Sequence, residues 1–354
     1  MKRTTRLLAG ALTALALTVG LTATTTMTAA AVGTDASPRD YKAYEPGPVR
    51  TAYPGMFIDF TGDMAPHPTA ANTYKYMGKF CTLGVVGTDA AGRKVGITAG
   101  HCNEARLNPD GTRPGQFLNA KREPCEKDTA GCIPYPDYPK HPGANPGVVT
   151  NNDHPVFDLN AVAYSAQNNK PLVNPIGWVR FVDEHGLDAN GQQNMETKTD
   201  YMVIEFAPDV QLSSQVKNKD GNAARQAGGG LFKVNSIYSG AGGAPALPPL
   251  SGLLFPATWI ENYAARSDRT PNTDSVAVNR GMVTNVNSGL IHSYAAIDHG
   301  DSGGPVVMNG TGKWVGISAA QAGFLDYVTT SAKNILDDLN PRGIVGSGFT
   351  ITNN

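Results

Sequence analysis

Two short motifs, about two hundred residues apart, constrain this chain more than anything else in it: Thr98-Ala99-Gly100-His101-Cys102 and Gly300-Asp301-Ser302-Gly303-Gly304-Pro305. A serine flanked by glycines suits a tight turn that holds its hydroxyl clear of its own backbone. The glycine two positions before it can aim a bare N–H at the same point in space. A serine hydroxyl is a weak nucleophile until a base takes its proton. His101, in a turn of small residues beside a cysteine, is the candidate base.

The N-terminus reads as an address rather than as fold. Lys2, Arg3 and Arg6 precede an apolar stretch from Leu7 to about Ala23, and Ala29-Ala30-Ala31 supplies a small-x-small cleavage site. That pattern predicts a secretory signal peptide over 1–31 and a secreted product. The run is shorter than the ~20 residues of a spanning helix and is diluted by Thr and Gly. No later segment is long and apolar enough to span, so no membrane association is expected once the signal is removed. The segment also carries off three basic residues, leaving 26 Lys and Arg (29 less Lys2, Arg3 and Arg6) against 30 Asp and Glu. A net charge of −4 argues against the clustered basic surface of a nucleic-acid binder.

Four cysteines in an exported chain point to two disulfides, and three pairings are open. The nearest-neighbour pairing joins Cys81–Cys102, clamping the His101 turn to a strand, and Cys125–Cys132, closing a small loop. No CxxC spacing supports zinc. No metal or organic cofactor is implied.

Residues 32–78, rich in Pro, Thr, Ala and Gly, form an N-terminal arm or short pro-segment with a possible strand at Met56–Phe60. From Cys81 the pattern is all-β. Val85–Thr88 and Val95–Thr98 flank the turn Asp89-Ala90-Ala91-Gly92. Asn103 to about Pro155 reads as a surface insertion. Strand-like runs follow at Val156–Tyr164, Ile176–Val182, Tyr201–Phe206, Leu231–Val234, Ser275–Val278, Met282–Val286, Val306–Met308 and Trp314–Ser318. One helix is predicted, capped by Thr329, Thr330 or Ser331, with Ile335, Leu336 and Leu339 on one face and Pro341 as its stop. Short strands separated by turns at this spacing suggest a barrel or sandwich. Two aspartates, Asp158 and Asp200, open strand-like runs, and either could be the carboxylate that orients the histidine.

Four blocks carry a resemblance: CTLGVVGTDAAGRKVGITAGHC (81–102), TDYMVIEF (199–206), NRGMVTNVNSG (279–289) and GDSGGP (300–305). They are similar to the chymotrypsin-fold serine proteases, most of all to the bacterial, streptogrisin-like branch. The resemblance spans roughly 79 to 340. It implies two six-stranded antiparallel β-barrels, over 79–207 and 208–354, with the active site between them and a short C-terminal helix. It implies His101 as general base, Ser302 as nucleophile and the N–H groups of Gly300 and Ser302 as the oxyanion hole. Of the two aspartates it favours Asp200, since Asp-Tyr followed by apolar residues matches the family's block. It further implies a buried Asp301 with a cationic partner, for which Arg280 sits in the right block.

At the primary pocket the resemblance places Ala296 at the base, Asp298 and His299 near the rim, and Ser318-Ala319-Ala320 on the strand that pairs with substrate backbone. Ala296 offers no carboxylate to a basic side chain, so an apolar pocket is expected. Asp298 stands where the family has a cysteine. The resulting expectation is a secreted serine endopeptidase, monomeric, acting on a protein or peptide through an acyl-enzyme. The competing class is a catalytically silent homologue acting as an extracellular binding module.

Overall fold

The structure is a computed structural model that describes residues 47–60, 80–102, 148–150, 152, 154–168, 170, 174–183, 199–217, 232–238, 258–264, 277–298 and 300–354, with the backbone of a few short strand segments besides. The signal segment, apart from the backbone of Thr28–Ala29, the Cys125–Cys132 pairing and His299 lie outside the described residues.

The first unit contains β1 (Phe57–Asp59), β2 (Phe80–Thr82), β3 (Val85–Thr88), β4 (Lys94–Thr98), β5 (Pro155–Asp158), β6 (Gly177–Asp183) and β7 (Tyr201–Phe206), with helix α1 (Leu159–Gln167) after β5. The strands form one antiparallel sheet in the order β2-β1-β5-β6-β7-β4-β3. Strand β7 is central, so its run Tyr-Met-Val-Ile is buried on both faces. Strand β1 lies in the segment expected to be an arm. It is buried throughout and pairs with both β2 and β5, so this part of the arm is a structural strand.

The second unit contains β8 (Trp259–Ala264), β9 (Ala277–Asn287), β10 (Leu290–Ser293), β11 (Pro305–Met308), β12 (Lys313–Gly323) and β13 (Asp326–Ser331), followed by helix α2 (Ala332–Leu339). The order β12-β11-β8-β9-β10-β13 closes on itself through β12–β13 pairing, giving a six-stranded antiparallel barrel. Ile260, Val283, Ile291, Ala295, Val306 and Val315 fill it. A final strand, β14 (Thr350–Ile351), returns to the first unit and pairs with β3.

Several sequence expectations shift. The run 156–164 is not one strand: β5 ends at Asp158, whose Oδ1 accepts the Asn160 N–H at 2.9 Å, and the chain turns into α1. Leu159, Val162 and Ala163, spaced i, i+3, i+4, are buried together there. The described part of Leu231–Val234 makes only an isolated bridge, Gln215↔Lys233. The described part of the run at 275–278 and the run at 282–286 belong to one strand, β9, bulged between Val283 and Asn285. Helix α2 matches its expectation: Ser331 Oγ accepts the Asn334 N–H at 3.1 Å, and Ile335 and Leu339 are buried.

Candidate active site

His101 lies in a single 3₁₀ turn, Gly100–Cys102, directly after β4. A disulfide from Cys102 to Cys81 in β2 ties that turn down, with Cα atoms 6.1 Å apart. Asp200, immediately before β7, fixes the histidine twice. Its Oδ1 accepts the His101 backbone N–H at 2.8 Å, and its Oδ2 lies 2.7 Å from His101 Nδ1. A carboxylate only accepts, so the ring proton sits on Nδ1 and Nε2 is left as the acceptor. Ser302 Oγ lies 2.9 Å from that Nε2. All three side chains are buried, at 1% exposure or less. Asp158, the other candidate carboxylate, sits at the head of α1 and bonds Asn160 there. Burial pushes its carboxyl up from 3.8 to about 6, against the pull of the Asn160 and Ala161 N–H groups.

The Ser302 turn is shaped by glycines that have no alternative. Gly300 and Gly303 have φ of +90° and +82°, the left-handed region. A Cβ on Gly300 would stand 2.7 Å from the Phe80 ring. Thr82 holds the turn from the first unit: its N–H donates to Ser302 O at 2.8 Å and its hydroxyl to Gly300 O at 2.7 Å. Thr98 Oγ1 in turn donates to Thr82 O at 2.8 Å. Nothing in the sequence singles out Thr82.

The backbone N–H groups of the turn can be accounted for one by one. Asp301 N–H donates to Asp298 O, Gly303 N–H to Ser318 O and Gly304 N–H to Asp301 O. Those of Gly300 and Ser302 have no acceptor in the chain among the described residues. Buried N–H groups are nearly always paired, so two left over on one turn are available to an external oxygen.

The surroundings depart from expectation at Arg280. Strand register sets it directly opposite Glu261, and its Nε lies 2.6 Å from Glu261 Oε1. Tyr263 donates its hydroxyl to the other Glu261 oxygen at 2.7 Å. Arg280 thus partners the buried Glu261, and the expected Arg280–Asp301 pair is corrected: Asp301 is fully buried and its Oδ2 accepts the Asp298 N–H at 2.9 Å. Asp298, where a cysteine was expected, is therefore a backbone partner of Asp301 in both directions. Ala296 is half-buried, and Ser318 and Ala319 are fully buried on β12. At the outer edge of β12, Thr28–Ala29 adds an antiparallel strand, with Thr28↔Gln321 and Ala29↔Ala320.

No protein-family model matches the chain, and no curated protein matches it in sequence. Among solved structures it is similar to the Nocardiopsis protease NAPase, at 13% identity over 81% of this chain and 96% of that one, with a TM-score of 0.39. Thermobifida fusca protease A matches at 12% over 85% and 100%, TM-score 0.39. A Cellulomonas bogoriensis chymotrypsin matches at 13% over 85% and 98%, TM-score 0.37. These neighbours are bacterial serine proteases of the chymotrypsin fold; this chain's own strands make two antiparallel units, one of them a closed six-stranded barrel. Likeness at this level assigns no residue a role; any role rests on the geometry of this chain.

Proposed function

We propose that the chain is an exported serine endopeptidase that cleaves peptide bonds through an acyl-enzyme on Ser302. One observation carries the reading: a buried imidazole with a carboxylate 2.7 Å from one nitrogen and a serine hydroxyl 2.9 Å from the other. In that arrangement His101 Nε2 takes the Ser302 proton as Oγ attacks the scissile carbonyl. Asp200 holds the Nδ1–H tautomer and stabilises the imidazolium that forms. The oxyanion falls to the Gly300 and Ser302 N–H groups, a donor of this kind being worth roughly 3–4 kcal/mol. Nε2–H then protonates the leaving amine as the C–N bond breaks. Water, deprotonated by the same nitrogen, attacks the ester and releases a carboxylate and the Ser302 hydroxyl.

The substrate chain would lie extended along β12 at Ser318–Ala320. Ala296, where the resemblance puts the pocket base, offers no carboxylate and favours an uncharged side chain at the cleavage position. Export rests on the sequence pattern of residues 1–31; among the described residues no helix is long and apolar enough to cross a membrane.

Hydrolysis of a peptide library tests the reading, with Ser302→Ala and Asp200→Asn beside the parent. Ser302→Ala is expected to be inert, and Asp200→Asn to lose about 10⁴ in kcat through the wrong tautomer. A parent that cleaves no peptide, or an unimpaired Ser302→Ala, defeats it.

A further inference from the structure

Among the described residues the most exposed large apolar side chain is Phe324, at 93%, and its neighbour Leu325 stands at 47%. The two make the whole tip of the β12–β13 hairpin, between Gly323 and Asp326, which pair across the ladder. Leu325 has a φ of +59°, in the left-handed region where the second position of a tight turn ordinarily carries glycine. The other described non-glycine residue with a positive φ is Ser288, which is small and polar. A branched apolar residue in this place is strained and gains little burial in return. Such outliers cluster at ligand contacts and switch regions.

The tip is braced from both of its strands. Gln321 Nε2 donates to Gly323 O at 3.1 Å, and His292 Nδ1 lies 3.0 Å from Asp326 Oδ1. Tyr294, 51% exposed, follows Ser293, whose ladder partner is Tyr327, so it leaves the sheet at this same end. A Cβ on Gly323 would meet nothing within 4 Å, which leaves room for another backbone beside the strand.

What the tip faces follows from β12. Gly303 N–H donates to Ser318 O at 2.8 Å and Ser318 N–H to Gly304 O at 3.0 Å, which sets Ser318 beside the Ser302 turn. From there β12 runs on to Gly323 and the tip. At Ala320 and Gln321 its backbone accepts an extended strand, since Ala29 pairs with Ala320 and Thr28 with Gln321, antiparallel. A strand laid in that direction carries its N-terminal end toward Phe324. Residues 28–29 fall in the segment read as a signal peptide, so export leaves this stretch of β12 bare. Ser318 to Gly323 is five positions (323 less 318), so the guest residue that reaches the tip comes about five before the one at Ser302.

Resting on the protease reading, we propose that Phe324 and Leu325 form an outer subsite for an apolar side chain of the substrate about five residues before the cleaved bond. The occupant is the substrate's own extended chain: the β12 backbone supplies the pairing and the tip supplies the preference. Covering one apolar side chain there is worth about tenfold in kcat/KM. A membrane or a second copy could also cover an exposed apolar tip, but only a bound substrate accounts for its place at the end of the strand that leads from Ser302.

The test is digestion of a peptide library by the parent, Phe324→Ser and Leu325→Gly, with the cut sites mapped by mass spectrometry. The parent is expected to enrich Phe, Leu, Ile or Met at one position roughly four to six residues before the cut, the spread that β12's bulges allow. Both variants are expected to lose that enrichment and keep the parent's choice at the cleavage position. Between two synthetic peptides that differ only there, Leu against Ser, the parent should show about a tenfold difference in kcat/KM and each variant less than about twofold. Leu325→Gly relieves the strained turn, so its Tm should be no lower than the parent's, which separates loss of the subsite from loss of fold. Enrichment that is absent from the parent, or that survives both substitutions, overturns the proposal. So does upstream indifference joined to sedimentation with phosphatidylcholine vesicles, or to a dimer in ultracentrifugation, that Phe324→Ser abolishes. A parent that cleaves nothing defeats the protease reading and this proposal with it, whereas cuts that ignore the upstream residues defeat this proposal alone.

Discussion

Arg280 shows how much one side chain's role depends on its register. It lies opposite Glu261, two-thirds exposed, and neutralises a carboxylate that is itself almost wholly buried. Arg280→Met is therefore expected to cost about 1–3 kcal/mol of stability, by leaving a buried carboxylate with Tyr263 as its remaining described partner. Activity per folded molecule should be kept, since Arg280 does not hold the Ser302 turn. Denaturant unfolding beside an active-site titration checks this; a stable, inactive variant would restore the pairing with Asp301. His101 and Ser302 were legible in the sequence because each sits in a local motif whose neighbours fix its turn. The partner of Arg280 was not, because it depends on how two strands nineteen positions apart are aligned. Thr82 was equally hidden: its two bonds to the Ser302 turn span more than two hundred residues.

Elements followed the same division between local and distant causes. Helix α2 could be read from a serine cap, an apolar stripe and a proline stop, all within a dozen residues. Helix α1 could not. Its run Leu-Asn-Ala-Val-Ala-Tyr is too short to separate a helical from an alternating pattern, and the deciding feature is a side-chain bond from Asp158. That carboxyl, raised from 3.8 to about 6, binds a proton more tightly in the folded state than in the unfolded one. Its charged form is therefore disfavoured by folding. The stability contributed by this group is lost as pH rises from about 4 to about 6 and is not regained above. Asp158→Asn keeps an acceptor for Asn160 and should raise Tm at pH 7 while leaving it unchanged near pH 4. A variant that is less stable at both values would mean that the charge is needed at the head of α1.

At the scale of the molecule, three of the contacts among the described residues show how the two units are stitched together. Thr82 bonds the Ser302 turn, α2 reaches Tyr201 through Asp338, and the chain end returns to the first unit. Residues 349–354 make the last of these. Phe349 packs edge-on to Trp314, β14 pairs with β3, and Asn354 bonds Ser214 and Leu212 in the connection between the units. Deleting 349–354 should lower Tm and still give one unfolding transition, because the large core mixes residues of both units. Two separated transitions in calorimetry would show that the units fold independently. The sequence indicated two β-units and the end of each that meets the other. It offered Met56–Phe60 as a possible strand but not that strand's buried place between β2 and β5, nor that the C-terminus crosses back, since both need partners remote along the chain.

The central claim is that His101, oriented by Asp200, makes Ser302 a nucleophile. Fluorophosphonate labelling of the mature protein, with the modified residue mapped by mass spectrometry, tests it most directly. One equivalent of label on Ser302, lost in Ser302→Ala and slowed by at least 10² in His101→Ala, is the result expected for a serine activated by its base. A parent that takes up no label, or takes it up equally well without His101, would contradict the claim.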